Sequence, residues 1–323
     1  SQKLADVPVG AFLSGGIDSS LIVSILSKIS SQKVKTFTIG FNDKRLDESF
    51  YASKISKYLN TDHTELKLNN KQLLDTVDNL SDIYDEPFSD SSQIPTILLS
   101  QLAKDKVKVA LSGDGGDELF GGYSRYVWSY KIKNFNPILK IILSTIVKNF
   151  NDISLEMILN KLKKFLPNSY QFKMPADKLK KLEKIIQYKS IDDIYENLMS
   201  VWSDEDRLII NKDFSSANKF NKVKNLNDMM YQDAQVYLPD DLLVKVDRAS
   251  MSTSLETRAP FLDQEVVEYA TKIPIEFKIK NNNQKIILKK ILSKYLPKNL
   301  YERPKMGFEV PIDDWLRGPL KNF

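Results

Sequence analysis

A glycine- and serine-rich loop follows the first apolar run of the chain. It reads SGGIDSS (Ser14–Ser20) and lies between Val9–Leu13 and a helical pattern that begins at Leu21. Two glycines allow the backbone to turn so tightly that several N–H groups point into one concavity, and the positive end of the helix dipole adds to them. We expect this loop to bind an oxyanion such as a phosphate, helped by its three hydroxyls. Asp18 fits among phosphate donors if a cation bridges it to the phosphate, and Mg²⁺ is the natural candidate. An ordinary helix cap after a glycine turn is the alternative.

A second loop, SGDGGDELFGGY (Ser112–Tyr123), follows another strand-like run at Val107–Leu111. Five glycines and three acids within eleven residues are costly to order, so a structural role alone is a poor explanation. In a parallel sheet both loops would emerge at the same edge, where such folds bind ligands. Asp18 and Asp117 are therefore predicted to share one cation. The acids could instead cap the helix that follows.

Strand-like and helix-like segments alternate through the first third of the chain. Repeated β-α units favour a parallel sheet covered by helices on both faces, so the predicted fold class is α/β. The predicted strands are Val9–Leu13, Val34–Phe41, His63–Leu68 and Val107–Leu111, and the predicted helices include one from Leu21, Ser49–Leu59, Leu73–Ile83 and Ile94–Ala103.

From about Tyr126 the periodicity becomes helical, with few strand signals. Pro239, followed by two acids, is predicted to open a helix. The domains are therefore predicted as an α/β core over residues 1–125 and a helical part over residues 126–323.

Composition excludes several classes of site. The chain has no cysteine and a single histidine, His63, which rules out disulfides, zinc-thiolate centres, cysteine nucleophiles and multi-histidine metal sites within it. His63 is predicted to give polar support within a strand rather than to transfer protons.

The chain has a net charge of +5, and its excess of basic residues is concentrated in residues 131–190, which hold thirteen lysines and four acids. A solvated helical face is the preferred interpretation over a nucleic-acid arm, since arginine is absent from that stretch. No apolar run reaches the roughly 18 residues of a membrane span, and no signal peptide is seen. We expect a cytoplasmic protein without membrane or nucleic-acid partners, and a homodimer is left open. Both ends look cut, which predicts that the chain is part of a larger protein.

The first loop resembles the pyrophosphate loop of the N-type ATP pyrophosphatases, and the second resembles the synthetase domain of the glutamine-hydrolysing asparagine synthetases. Residues 131–235 resemble the family least. Other stretches resemble it in the same order, namely FTIGF (Phe37–Phe41), DEP (Asp85–Pro87), Ser89-Asp90, LPDDLLVKVDR (Leu238–Arg248), ETRAPFLD (Glu256–Asp263) and RPKMGF (Arg303–Phe308). The resemblance implies an adenine nucleotide alpha hydrolase-like core over residues 1–125, completed by residues 126–323. It also implies an amino-terminal glutaminase domain that is absent from this chain.

The family activity implied is ATP-dependent amide synthesis. A carboxylate, aspartate in the main hypothesis, attacks the α-phosphate, pyrophosphate leaves, and ammonia displaces AMP to give asparagine. The resemblance assigns Mg²⁺ to Asp18 and Asp117, catalysis to Asp114, Lys285 and Glu118, and substrate orientation to Arg258, which could also form an ion pair with Glu256. Residues assigned to ATP and pyrophosphate are Leu13, Ser14, Gly15, Gly16, Asp18, Ser19, Ser20, Ile39, Ser112 and Gly113.

Asp114 departs from the family, whose better-known members carry glutamate there. Aspartate keeps the carboxylate but shortens its reach by one methylene, about 1.5 Å. The acceptor therefore stays open between aspartate and another carboxylate, such as a sugar acid of surface polysaccharides or a β-lactam precursor. An RNA-modifying ATP pyrophosphatase and an inactive ATP-binding module are the remaining alternatives.

Overall fold

The structure is a computed structural model that describes residues 2, 4–41, 47–149, 176–200, 222–303, 310 and 312–321. Much of the lysine-rich stretch and the RPKMGF motif after Arg303 lie outside the described residues.

The central sheet has five parallel strands in the order β3-β2-β1-β4-β5. The α/β class and the parallel sheet are thereby confirmed. The strands are β1 (Val9–Phe12), β2 (Lys35–Phe41), β3 (Asp62–Leu68), β4 (Val109–Leu111) and β5 (Glu256–Arg258).

Helices make up most of the remaining described chain. The α-helices are α1 (Ile17–Ile29), α2 (Ser49–Leu59), α3 (Asn70–Val77), α4 (Leu80–Ile83), α5 (Gln93–Lys104), α6 (Gly116–Phe120), α7 (Ser124–Lys133), α8 (Pro137–Asn149), α9 (Ala176–Ile186), α10 (Ile191–Met199), α11 (Leu226–Gln232), α12 (Val244–Met251), α13 (Gln264–Lys272), α14 (Ile286–Leu292) and α15 (Ile312–Arg317). A π-helix covers Asp233–Leu243, and short 3₁₀ turns cover Pro260–Leu262, Ile275–Phe277 and Lys298–Leu300. Within the described part of the chain, no helix is long and apolar enough to cross a membrane.

Apolar side chains cover both faces of the sheet, because successive residues of a strand point to opposite faces. Leu111 belongs to the cluster that includes Leu21 of α1 and Leu288 of α14. Its neighbour Ala110 belongs to the opposite cluster, with Ile94 of α5. The sheet is thus held between two helical layers, which fixes the strand ends that carry the loops.

The chain forms two compact units. One contains the sheet and comprises Ser1–Gly122 and Asp233–Phe323, and the other is the helical segment Tyr123–Gln232. The first border lies close to the predicted boundary at 125. The prediction that everything after 126 is helical is wrong, because the chain returns to the sheet and contributes β5, which pairs with β4. β5 reads Glu-Thr-Arg and lacks the apolar run that marks β4, a strand of the same length.

Two helix predictions also need correction. The pattern Leu73–Ile83 forms two helices, since the turn at Asp78 and Asn79 separates α3 from α4. Pro239 does not open a helix but lies inside the π-helix. Proline lacks the N–H that the regular α-helical ladder requires, and the ladder is not regular in this segment.

Candidate active site

The two glycine loops leave adjacent strands at the point where the sheet reverses its order. From β1 the chain runs outward to β2 and β3 on one side, while β4 and β5 lie on the other. β1 pairs with β4 in the register Ala11↔Leu111, so both loops begin side by side at the carboxyl edge. This is the crevice in which open α/β sheets bind ligands. The predicted common edge is confirmed.

The first loop is closed by its own hydroxyls. Ser14 Oγ lies 2.9 Å from Ser19 Oγ, and Gly16 N–H donates to Ser14 Oγ at 3.2 Å. Gly15 has a φ of +77°, a conformation that side chains rarely adopt, and its α-carbon faces the start of α2. The resulting turn places Asp18 in the first turn of α1.

The second loop rests directly on Asp18. A Cβ added at Gly116 would lie 2.7 Å from Asp18 Cγ, and one added at Gly113 would lie 3.1 Å from Asp18 Cβ. Side chains at these two positions would push the loops apart. The glycines therefore serve the close approach that brings Asp18 and Asp117 together.

Lys285 joins the two loops. Its Nζ donates to Asp18 Oδ2 and lies 2.6 Å from Asp117 Oδ1, while the residue is only 5% exposed. Burial by itself would lower the pKa of Lys285, but the charges of Asp18 and Asp117 and their hydrogen bonds outweigh burial and raise it. The lysine is therefore a fixed positive charge, and we call Asp18, Asp117 and Lys285 the charge clamp.

The charge clamp also tests whether the site suits Mg²⁺. Two carboxylates beside a phosphate-binding loop are a donor set that Mg²⁺ accepts, because it takes one or two carboxylates and completes its shell with phosphates and water. A Cβ at Gly122 would overlap Asp117 and Lys285, so only glycine lets these two side chains lie against the backbone here. No group of three or more potential metal-ligating side chains occurs among the described residues, so such an ion would depend on the bound phosphates.

A cavity of about 610 Å³ opens in front of the charge clamp. We call it the clamp cavity; it is lined by the two loops and by the segment that carries Lys285. Its further lining residues include Glu48, Asn283, Gln284, Lys289, Tyr301, Glu302 and Arg303.

Asp114 lies where three cavities meet. It lines the clamp cavity, a cavity of about 190 Å³ with Leu13 and Lys245, and a cavity of about 400 Å³ with Arg258. Burial raises the pKa of the Asp114 carboxyl, and the charge of Asp117 adds to this effect, whereas a hydrogen bond with Ser112 and the charge of Lys245 oppose it. A carboxylate with a raised pKa at such a junction is suited to exchange protons with a ligand.

Two buried ion pairs at the site escape the sequence analysis. Arg303 Nη1 lies 2.9 Å from Glu48 Oε1, its Nη2 donates to the Ser14 carbonyl at 3.3 Å, and its guanidinium lies over the ring of Tyr51. The pair spans 255 residues. Arg303 begins a motif noted in the sequence, but nothing local indicates its partner.

The second pair joins Lys245 and Asp90 at 2.7 Å. Burial would raise the pKa of Asp90, but Lys245 and two hydrogen bonds from Ser92 hold it below its usual value. The Tyr84 hydroxyl donates to the Lys245 carbonyl at 3.0 Å. Because Lys245 and Asp114 line the same cavity, this pair sets the charge beside Asp114.

Arg258 forms the ion pair that the sequence analysis allowed. Its Nε lies 2.6 Å from Glu256 Oε1, and Nη1 donates to the carbonyls of Gln2 and Leu4. It still lines the cavity that it shares with Asp114, so substrate orientation stays a prediction.

Four predicted site residues lie outside these cavities. Gly15 is buried in the first loop, and Ile39, Ser20 and Glu118 are each at most 1% exposed, on β2, α1 and α6. They do not line the three cavities described, so the structure gives them packing positions, and their direct roles stay predictions.

His63 lies on β3, where its Nδ1 is 2.9 Å from Thr36 Oγ1. Burial lowers its pKa, against the opposing charge of Glu65. Polar support within the sheet, as predicted, describes these contacts.

Comparison with known proteins agrees with this geometry. The family model for asparagine synthase matches residues 1–323. Asparagine synthetase [glutamine-hydrolyzing] 1 of Bacillus subtilis is 31% identical over 99% of this chain and 49% of its own length. A putative asparagine synthetase of Mycobacterium tuberculosis is 30% identical over 97% of this chain and 46% of its own. A putative asparagine synthetase of Methanocaldococcus jannaschii is 35% identical over 77% of this chain and 46% of its own.

The chain thus spans about half the length of the curated relatives that it matches. The family match runs through both glycine loops and through the Lys285 segment, which the fold assembles into one cavity. The chain belongs to the asparagine synthase family, for which ATP binding is implied.

Proposed function

We propose that this protein forms an amide from a carboxylate, ATP and ammonia, releasing AMP and pyrophosphate, and that aspartate is the acceptor. The observation that carries the proposal is the charge clamp, which ties two glycine loops together in front of a cavity that also reaches Asp114. A fixed cation beside a phosphate loop stabilises the charge that develops when pyrophosphate leaves.

In the first step an acceptor carboxylate oxygen bonds to the α-phosphorus, and the bond from that phosphorus to the departing pyrophosphate breaks. The Ser14–Ser20 loop offers N–H and hydroxyl donors to the phosphates, and Lys285 contributes positive charge. Asp18 and Asp117 would hold Mg²⁺, which neutralises phosphate charge when bound.

In the second step ammonia bonds to the acyl carbon, the bond from that carbon to AMP breaks, and a proton is lost from nitrogen. Asp114 is the proposed proton acceptor, because burial raises its pKa and it lines all three cavities. We propose that a glutaminase domain supplies the ammonia in the full-length protein, since the named relatives are about twice as long and are glutamine-hydrolysing by name.

A second acceptor class, a sugar acid or another non-aspartate carboxylate, is supported by the shorter reach of Asp114. The ion pair of Lys245 and Asp90 beside it supports an acceptor that carries polar groups. Both readings share the adenylation step and differ only in the carboxylate.

The test incubates the protein with ATP, Mg²⁺, ammonium and single carboxylates, and measures AMP, pyrophosphate and amide. We expect AMP, pyrophosphate and asparagine in equal amounts with aspartate. Asp18→Asn should abolish AMP formation, while Asp62→Asn, an exposed aspartate on β3, should not. Signal with a sugar acid but not with aspartate would move the proposal to the second acceptor class. Formation of ADP and phosphate, or no carboxylate-dependent AMP, would refute the reaction.

A further inference from the structure

Lys289 lies in the first turns of α14, and Lys285 immediately precedes that helix. The Lys289 N–H donates to the Lys285 carbonyl at 2.9 Å, and both residues line the clamp cavity. Lys289 is half-buried, whereas the next residue, Lys290, is exposed.

The basic residues of the clamp cavity differ in how they are neutralised. Lys285 contacts two carboxylates, and Arg303 is paired with Glu48. Lys289 Nζ instead donates to the neutral amide oxygen of Asn283 at 2.5 Å, and among the described residues it makes no ion pair. Burial lowers the pKa of Lys289, and the neighbouring charge of Lys285 acts in the same direction against that of Glu302.

A tight turn fixes Asn283 in this position. Asn281 and Asn282 have φ values of 50° and 66°, and the turn is closed by the bridge between Lys280 and Asn283. Asparagine tolerates these left-handed conformations better than most residues, which explains the Asn-rich sequence here. The turn thus presents an amide that orients Lys289 without neutralising its charge.

We propose that Lys289 is a binding residue for pyrophosphate, both as the β,γ-portion of the bound triphosphate and as the released product. This assignment rests on the proposed function, because the clamp cavity is the one in which pyrophosphate would be formed. A cation that shares the cavity with the phosphate loop and forms no ion pair within the described part of the chain complements an anion that brings several negative charges. Lys285 contacts the two carboxylates of the charge clamp, and Lys289 adds a second positive charge to the same cavity, four residues further along the chain.

The test measures binding of inorganic pyrophosphate with Mg²⁺, and separately of AMP, by isothermal titration calorimetry. Lys289→Met should raise the dissociation constant for pyrophosphate about tenfold, the loss of one hydrogen bond to a charged group, and leave that for AMP unchanged. Lys289→Arg should retain most of the affinity. Lys290→Met is the matched control on the same helix and should change neither constant.

Equal pyrophosphate affinity in wild type and Lys289→Met would overturn the assignment. An equal loss for AMP and pyrophosphate would overturn it too, because it would reveal a general structural defect. Pyrophosphate binding requires neither an acceptor nor turnover, so this test is separate from the test of the proposed reaction. If the protein forms no AMP with any carboxylate, the proposed reaction is refuted, but the contribution of Lys289 to pyrophosphate binding can still be measured.

Discussion

Replacing Lys285 by methionine tests the charge clamp most directly. Methionine is similar in length and fills the space of the aliphatic stem, so the main change is the loss of one buried positive charge. Asp18 and Asp117 would then face each other without the cation that both now contact.

The magnitude follows from the burial of the three groups. The Lys285 side chain is 6% exposed and each carboxylate is 18% exposed, so water screens the stranded charges poorly. Removing one partner of a buried ion pair costs about 3–5 kcal/mol, a large share of the roughly 5–15 kcal/mol that stabilises a domain. At about 2–4 °C per kcal/mol for a domain of 150–250 residues, the unfolding midpoint should fall by roughly 6–20 °C.

The assay compares thermal and urea unfolding of Lys285→Met with Lys290→Met, whose side chain is exposed and should matter little. A triple variant, with Asp18→Asn and Asp117→Asn added, should regain part of the lost stability because no charge is left stranded. If Lys285→Met unfolds like Lys290→Met, or if the triple variant is no more stable than the single one, the charge clamp is not what joins the loops.

Three further changes test other parts of the site. Asp114→Asn should stabilise the protein near pH 7 and not at acid pH. Because the pKa of Asp114 is raised, the folded state binds more protons than the unfolded state above the usual aspartate pKa, and the stability of the wild type falls as pH rises. Urea unfolding of both proteins between pH 3.5 and 7 measures this difference. Protonation of His63 should destabilise the fold, because its pKa is lowered and the unfolded state therefore binds more protons as pH falls below the usual histidine value. The imidazole NMR signal of this single histidine should titrate below pH 6.5. Titration above pH 6.5 would contradict the burial argument. Gly122→Ala should lower the free energy of unfolding by about 1–3 kcal/mol and slow AMP formation at least tenfold, since the new methyl would overlap Asp117 and Lys285. AMP formation at the wild-type rate in this variant would contradict the packing described.

Much of the fold could be predicted because it follows from the pattern of residue types within short stretches of the sequence. The strand at Val34–Phe41 is rich in β-branched and aromatic residues, and α2 has the predicted bounds Ser49–Leu59. The sequence does not predict β5, because Glu-Thr-Arg has no apolar run such as the one that marks the equally short β4. It does not predict the split between α3 and α4 either, because the apolar spacing continues across the two-residue turn.

The sequence by itself determined which residue types could bind phosphate, since the spacing of glycines, serines and aspartates in the two loops is a local property. It did not single out Lys285 among forty lysines without the family resemblance. Only the tertiary structure decided that Lys285 meets Asp18, 267 residues earlier, that Arg303 meets Glu48, and that Lys289 contacts an amide oxygen and forms no ion pair with any described residue. The physical reason is that the local periodicity of a strand does not specify its neighbours in the sheet, and a long charged side chain finds its partner only after the chain has closed the sheet and brought distant segments to one edge.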